Sequence, residues 1–340
     1  MVGASTASTT RPFGRPEEEM SMPVVTDDRR KAGTPTGRPG RSPWRPSLST
    51  RNNLLSYMLL APSLAMTLVF IAFPIYMIVN LSLRDGKTMI MSEVGDLPLT
   101  LGNYDSVLAD PDTWHSLRIS AMYTAATVTA AILVGLVTAL LIRRRLPGRR
   151  WLRTLILIPW PIPGAIATVA FVWMLDGTYG VINYILRMVG IIDQNVAWFF
   201  DPQTALIGVL MPTVWSAYPL CTLMLLASLQ SVPDELYEAA KVDGAGAILQ
   251  FRHVTWPAVQ NTAVLAMIVT GLWTFTTFDF VYAITRGGPD GATQTLAVAI
   301  YNQAFRFFDL PHASALGVVT MVLAGLVLLA LFPVVRRRFF

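Results

Sequence analysis

Residues 119–142 read ISAMYTAATVTAAILVGLVTALLI, twenty-four in a row without a charge, and the next eight, Arg143-Arg144-Arg145-Leu146-Pro147-Gly148-Arg149-Arg150, hold five arginines. A helix in a soluble core seldom needs more than about 14 uninterrupted apolar residues, whereas the hydrocarbon of a bilayer takes about 20. The stretch therefore reads as a membrane span with a basic end in water. Composition agrees, because the 340 residues are 53% hydrophobic and only 14% charged, while soluble chains put charged residues near a quarter.

Working outward, five more apolar segments appear at about 54–83, 154–175, 204–229, 262–284 and 313–335. Only α-helices satisfy every backbone polar group inside one such segment. The expected fold is an all-α integral membrane protein of six transmembrane helices. An even number of spans puts both ends on one side. The positive-inside rule makes that side cytoplasmic, since arginines fill the N-terminal stretch, residues 143–150 and the closing Arg336-Arg337-Arg338-Phe339-Phe340. The connection between the fourth and fifth segments then faces inward too. The opposite connections, Gly102-Asn103-Tyr104-Asp105, Trp198-Phe199-Phe200-Asp201 and Gly287-Gly288-Pro289-Asp290, face outward. Trp151 and Trp198, near span ends, suit the interfacial aromatic belt or packing equally well.

Residues 1–50, rich in Pro, Gly, Ser, Thr and Arg, cannot bury enough surface to offset the entropy of ordering, so a disordered basic cytoplasmic tail is expected, with one membrane domain over 51–340. The net charge of +5 sits in that tail and at span ends, which reports orientation in a membrane and gives no groove for nucleic acid. The single cysteine, Cys221, lies in an apolar run and reads as a buried thiol.

The inward connection runs Ser231-Val232-Pro233-Asp234-Glu235-Leu236-Tyr237-Glu238-Ala239-Ala240-Lys241-Val242-Asp243-Gly244-Ala245. Ser231 with Asp234 looks like a capping arrangement, and Pro233 fits a first turn. Leu236, Ala239 and Ala240 share a face, and Gly244 can take the positive φ that closes a helix. A second amphipathic piece offers Ile248, Phe251 and Val254, with Pro257 expected to end the register. The reading is a helix-turn-helix on the inner membrane face, with small residues that admit another protein.

Glu238-Ala239-Ala240, Gly244 and Pro257 resemble the Glu-Ala-Ala loop of permease subunits in bacterial ATP-binding-cassette importers. Asp243-Gly244-Ala245 and Phe251 resemble the maltose-type, sugar-importing branch, with Trp256 a departure from the aliphatic residue usual there. Thr285-Arg286-Gly287-Gly288-Pro289, Thr295, the aromatic stretch 301–308, Ala313-Ser314-Ala315, Gly102-Asn103-Tyr104 and Leu157-Ile158-Pro159 extend the likeness over about residues 55–335. The resemblance implies a type I importer permease fold in a bacterial inner membrane and a cytoplasmic coupling loop at 229–260. In that loop Glu238, Ala239, Ala240, Asp243, Gly244, Ala245, Phe251 and Pro257 dock the ATPase. It also implies a second homologous permease subunit, an ATPase dimer that carries ATP and Mg, an extracytoplasmic solute-binding protein, and a sugar-like solute.

Pro159, Pro161 and Pro163, followed by Gly164, must break the third segment. Either a structural kink or an irregular backbone beside a transport path accounts for them. Thr213, Trp215, Ser216 and Tyr218 in the fourth segment, and Thr270, Trp273, Thr274 and Thr277 in the fifth, supply the hydroxyls and rings that a carbohydrate engages. The latter four share a helical face that could line a lumen. Such threonines equally often bond their own helix, and tryptophan packs on neighbours. By resemblance, Thr213, Ser216, Ala217, Thr270, Trp273, Thr274 and Thr277 fall where the maltose-type permeases contact sugar. Asp279 is the one carboxylate well inside a segment and a functional candidate for that reason. No Lys or Arg lies deep in a span, which favours a neutral cargo.

No Gly-x-x-x-x-Gly-Lys-Ser/Thr loop is present, so nucleotide hydrolysis belongs to another chain. His115, His253 and His312 form no metal-ligand spacing, and no nucleophile, base and acid gather. The chain reads as a conduit and not as an enzyme, without a cofactor of its own. The alternatives are an importer for a glycerol-phosphate-like solute and a carrier driven by an ion gradient through Asp279.

Overall fold

The computed structural model describes residues 48–90, 94–143 and 148–339. The tail expected at residues 1–50 lies outside them apart from its last three residues, where the first helix begins, and so do Arg144, Arg145 and Phe340. Pro62–Phe340 form one compact unit, which carries the helical bundle.

Among the described residues five helical runs are long and apolar enough to cross a membrane: Ser56–Ser82, Pro111–Arg143, Pro202–Gln230, Ala247–Phe275 and Leu310–Pro333. The remaining apolar segment is split, as its prolines require, into two shorter helices. In chain order the helices are α1 (Leu48–Thr67), α2 (Phe73–Ser82), α3 (Gly102–Ala109), α4 (Pro111–Arg143), α5 (Arg149–Leu157), α6 (Gly164–Met174), α7 (Val181–Met188), α8 (Pro202–Gln230), α9 (Asp234–Val242), α10 (Ala247–Gln250), α11 (Trp256–Phe275), α12 (Asp279–Ile284), α13 (Leu296–Phe305) and α14 (Leu310–Phe339).

Two of the long helices start alike. Asp110 accepts the N–H of Asp112 at 3.0 Å ahead of α4, and Asp201 accepts the N–H of Gln203 at 2.9 Å ahead of α8. Pro111 and Pro202 occupy the first helical position, where a missing N–H costs nothing.

In lipid the gain on packing two apolar helices comes from close van der Waals contact, which small residues permit. At the crossing of α4 and α8 a Cβ on Gly135 would stand 2.7 Å from Cβ of Cys221 and 3.0 Å from the Thr222 backbone nitrogen, so only glycine fits. Ala131, Ala217, Cys221 and Ala266 continue this small-residue seam between α4, α8 and α11. Toward the basic end Ala139, Ile142, Leu225, Leu229, Val259 and Ala263 fill the centre. The opposite end is closed by Val107, Leu296, Ala315 and Leu316. Asn103 ties α3 down by donating to the carbonyls of Ser82 and Arg84, at 3.0 and 2.7 Å.

Two boundaries depart from expectation. Pro257 does not end a helix: a π-helical turn, Phe251–Thr255, joins α10 to α11, and Pro257 falls in the first turn of α11, where its absent N–H is harmless. The segment expected at 262–284 is two helices, because the backbone breaks over 276–278 before α12.

Candidate functional site

The connection between α8 and α11 is built as a short exposed helix. Ser231 is not its cap; the Ser231 hydroxyl turns back to the Ser228 carbonyl at 2.8 Å and closes α8, while Pro233 precedes α9 without a side-chain cap. Asp234 and Glu235 lie in the first turn, where the helix dipole favours acids. At the other end Gly244 has φ +79°, and the N–H groups of Gly244 and Ala245 return to the carbonyls of Lys241 and Ala240 at 3.0 and 2.8 Å. That is the paired closure that a left-handed glycine allows.

No residue of α9 is buried. Glu238, Ala239 and Asp243 are exposed, and Ala240 and Ala245 are half-buried. Val242 is 88% and Ile248 81% exposed. Two large aliphatic side chains held in the open beside small ones make a surface suited to a protein partner. Phe251, half-buried, opens the π turn with its ring 6.4 Å from that of Trp256.

Three residues that the sequence did not single out hold this loop on the bundle. The Arg143 guanidinium, at the end of α4, lies 3.9 Å over the Tyr237 ring and 3.2 Å from the Asp234 carboxylate. The Tyr237 hydroxyl meets that of Thr255, at the foot of α11, at 3.0 Å. Asp234 is 73% exposed, so its ion pair contributes only about 0–1 kcal/mol; its value is geometric. The loop thus grips both α4 and α11.

Inside the bundle the residues expected to meet solute separate into two groups. Thr213 is fully buried, and its hydroxyl donates to the Val209 carbonyl at 3.0 Å while the Tyr123 phenol donates to it at 2.6 Å. Ser216, Ala217, Thr270, Thr274 and Thr277 are buried as well. Thr270 lies 3.4 Å from the Cys221 sulfur, Thr277 donates to the Trp273 carbonyl at 2.8 Å, and the Thr274 hydroxyl has no partner among the described residues. Trp215 and Tyr218 are half-buried, with Trp215 edge-on to Phe171 at 5.6 Å. Trp273, 44% exposed, and Asp279 are the open members. The shared face of α11 is therefore divided: its threonines turn into the helix seam, where small side chains pack best, and the indole stays outside.

Asp279 begins α12 directly against Gly164, which begins α6; a Cβ on Gly164 would collide with the carboxylate. The two breaks, at the three prolines and over 276–278, thus lie side by side, with an acid between the starts of two short helices. This pairing of residues distant in sequence was not legible beforehand.

In the turn after α12, Arg286, Gly287, Asp290 and Gly291 all have positive φ. The Thr293 hydroxyl bonds the Gly288 carbonyl at 2.7 Å, and the Thr285 and Thr293 hydroxyls are 2.6 Å apart. Phe278, Tyr282, Tyr301 and Phe305 form a ladder of rings with successive centroids 4.5–4.9 Å apart. Trp198 is buried and donates to Asn183 at 3.1 Å, so it packs, while Trp151 is 75% exposed.

Among the described residues, three of the surface cavities are well formed. One of about 370 Å³ lies between α4, α11 and α14 and is walled by Val128, Met267, Phe275 and Leu328. One of about 410 Å³ lies between Asp176, Trp198, Phe200 and Pro289. The third, of about 210 Å³, lies at the basic end between α4, α5 and α8. None of the three is lined by Thr213, Thr270, Thr274, Thr277 or Asp279. Among the described residues no group of three or more His, Cys, Asp or Glu could hold a metal.

Residues 131–340, which take in the exposed loop and the Gly287-Gly288-Pro289 turn, match the family described as binding-protein-dependent transport system inner membrane component. The chain is similar to the trehalose/maltose transport system permease protein MalF of Thermococcus litoralis, 34% identical over 278 residues that cover 81% of this chain and 92% of that one. It is similar to the sulfoquinovosyl glycerol transport system permease protein SmoG of Agrobacterium fabrum, 33% identical over 300 residues that cover 87% and 94%. Its fold is that of a chain from a crystal structure of a bacterial ABC transporter involved in the import of the acidic polysaccharide alginate, with a TM-score of 0.71 over 86% of this chain and 98% of that one at 18% identity.

Proposed function

The chain belongs to the family of binding-protein-dependent transport system inner membrane components and is the permease subunit of an ATP-binding-cassette importer; from this premise we propose that its cargo is a sugar or related polyol. The trehalose/maltose and sulfoquinovosyl glycerol relatives support the class of cargo, and the exposed loop gripping α4 and α11 carries the mechanism.

In this reading the loop lies in the cytoplasm with both termini, and Glu238, Ala239, Ala240, Asp243, Gly244, Ala245, Phe251 and Pro257 form or shape its contact with an ATPase dimer. ATP and Mg belong to that dimer, so hydrolysis is not performed on this polypeptide. Closure of the dimer moves α9, and Tyr237 passes the displacement to Thr255 and α11 while Arg143 passes it to α4. A second homologous permease faces this one, and rocking of the pair opens a central path alternately to each side. We place Thr213, Trp215, Ser216, Ala217, Tyr218, Thr270, Trp273, Thr274, Thr277 and Asp279 beside that path: Trp273 and Asp279 are already exposed, whereas the buried threonines and Ser216 reach the solute's hydroxyls only once rocking parts the helices. An extracytoplasmic solute-binding protein delivers the solute at the outward end.

The test of cargo is a thermal-shift screen of the cognate solute-binding protein against sugars, polyols and glycerol phosphate. It is followed by uptake of the hit into proteoliposomes that contain both permeases and the ATPase. Stabilisation by a sugar with ATP-dependent uptake is expected; stabilisation by glycerol phosphate alone would overturn the sugar reading.

A further inference from the structure

Arg153 is the one basic side chain whose buried nitrogen stands without a partner among the described residues: its Nε is shielded from solvent and makes no hydrogen bond. It lines the 210 Å³ cavity at the basic end, with Ile142 of α4, Ile156 of its own helix, and Leu223, Leu226 and Gln230 of α8. No acid lines that cavity, and Asp234, the acid at the start of the neighbouring loop, is already engaged by Arg143. The Thr222 hydroxyl is committed to the Tyr218 carbonyl at 2.9 Å and to Thr138 at 2.6 Å. Arg153 is half-buried, so its guanidinium is only partly in water, and its shielded Nε faces aliphatic walls with no acceptor; an anion at the cavity would supply both the acceptor and the counter-charge.

The surroundings specify which anion. On α5, Trp151, Leu152 and Leu155 are all exposed, so this helix presents apolar side chains outward while Arg153 turns into the cavity. A Trp beside arginines at the end of an apolar segment is the signature of the membrane interface. Arg143, next to the cavity-lining Ile142, adds positive charge at the end of α4. An occupant must therefore bring a negative group to Arg153 and hydrocarbon to Ile156, Leu223 and Leu226. Basic pockets between spans on the cytoplasmic side take anionic lipid headgroups in this way.

We propose that Arg153, with Gln230, holds the phosphate of an anionic phospholipid of the cytoplasmic leaflet, its acyl chain lying along the aliphatic wall between α5 and α8. The site rests on the proposed inward orientation and adds a partner that the importer reading does not require. The bound lipid would brace α5, the helix ahead of the three prolines, against the end of α8 from which the ATPase-facing loop departs.

The assembled importer is placed in phosphatidylcholine nanodiscs doped with phosphatidylglycerol, and the lipids that stay bound after release are counted by native mass spectrometry. The wild type is expected to keep phosphatidylglycerol over phosphatidylcholine, and salt to weaken that preference. Arg153→Gln should lower retained phosphatidylglycerol about fivefold, the loss of one interfacial cation, and Arg153→Lys should keep most of it. Equal retention in wild type and Arg153→Gln would overturn the site. So would carbodiimide cross-linking of the Arg153→Lys variant to a partner subunit, since a protein carboxylate would then fill the cavity. If Arg153→Gln fails to assemble, the salt titration and the Arg153→Lys variant still decide. Retention is read without transport, so a negative result leaves the importer reading standing, and failed uptake leaves the lipid site standing.

Discussion

A side chain at Gly244 would touch nothing within 4 Å, yet its φ of +79° excludes most residues, whereas a side chain at Gly164 would strike Asp279. The first glycine is required by the backbone and the second by a neighbour, and the difference is measurable. Gly164→Ala should lower stability by about 1–3 kcal/mol through overpacking. In the Asp279→Ala background the same change should cost much less, with a coupling of about 1 kcal/mol or more. Thermal unfolding of the four proteins of this cycle tests the contact, and strict additivity would refute it. Gly244 was legible in the sequence because its task is local: a glycine after a helical pattern carries the closing turn within itself. Gly164 was legible only as a companion of three prolines, since the carboxylate that crowds it is supplied by a distant helix.

At the scale of elements, the loop acts as a lever only if α9 is joined to the spans. Tyr237→Phe leaves the ring under Arg143 but removes the hydroxyl from Thr255, a bond that contributes about 1 kcal/mol. In proteoliposomes the variant importer should bind its ATPase normally and hydrolyse ATP, but move severalfold less solute per ATP hydrolysed; unchanged uptake per ATP would show that force does not pass through this bond. The helix itself follows from the acids, alanines and glycine of residues 234–244. The stack of Arg143 on Tyr237 does not, because it joins two helices that only the fold brings together. Proline was a reliable guide at 159, 161 and 163, where three in alternate positions leave no helical ladder, and misled at 257, where a π turn supplies the slack before a first-turn proline. The break over 276–278 has neither proline nor glycine to announce it; packing of α12 against α6 decides it.

For the whole molecule, hydrophobic run length was enough to read a bundle of membrane helices, because the bilayer imposes a length on each of them. The carbohydrate-like residues were legible by type and spacing. Their direction was not, since a threonine on a membrane helix satisfies itself on its own backbone as readily as on a solute, and here Thr213 and Thr277 do so. The open indole of Trp273 and the carboxylate of Asp279 are the groups still available to a facing chain. In the proposed reading the path forms between two such subunits, and the movement that opens it is passed in through the exposed loop. The most direct measurement is therefore ATP-dependent solute uptake by the assembled importer carrying Gly244→Asp, with ATPase association followed by co-purification. Loss of ATPase association and of uptake together is the predicted result; retention of both at wild-type levels would contradict the coupling role of this loop.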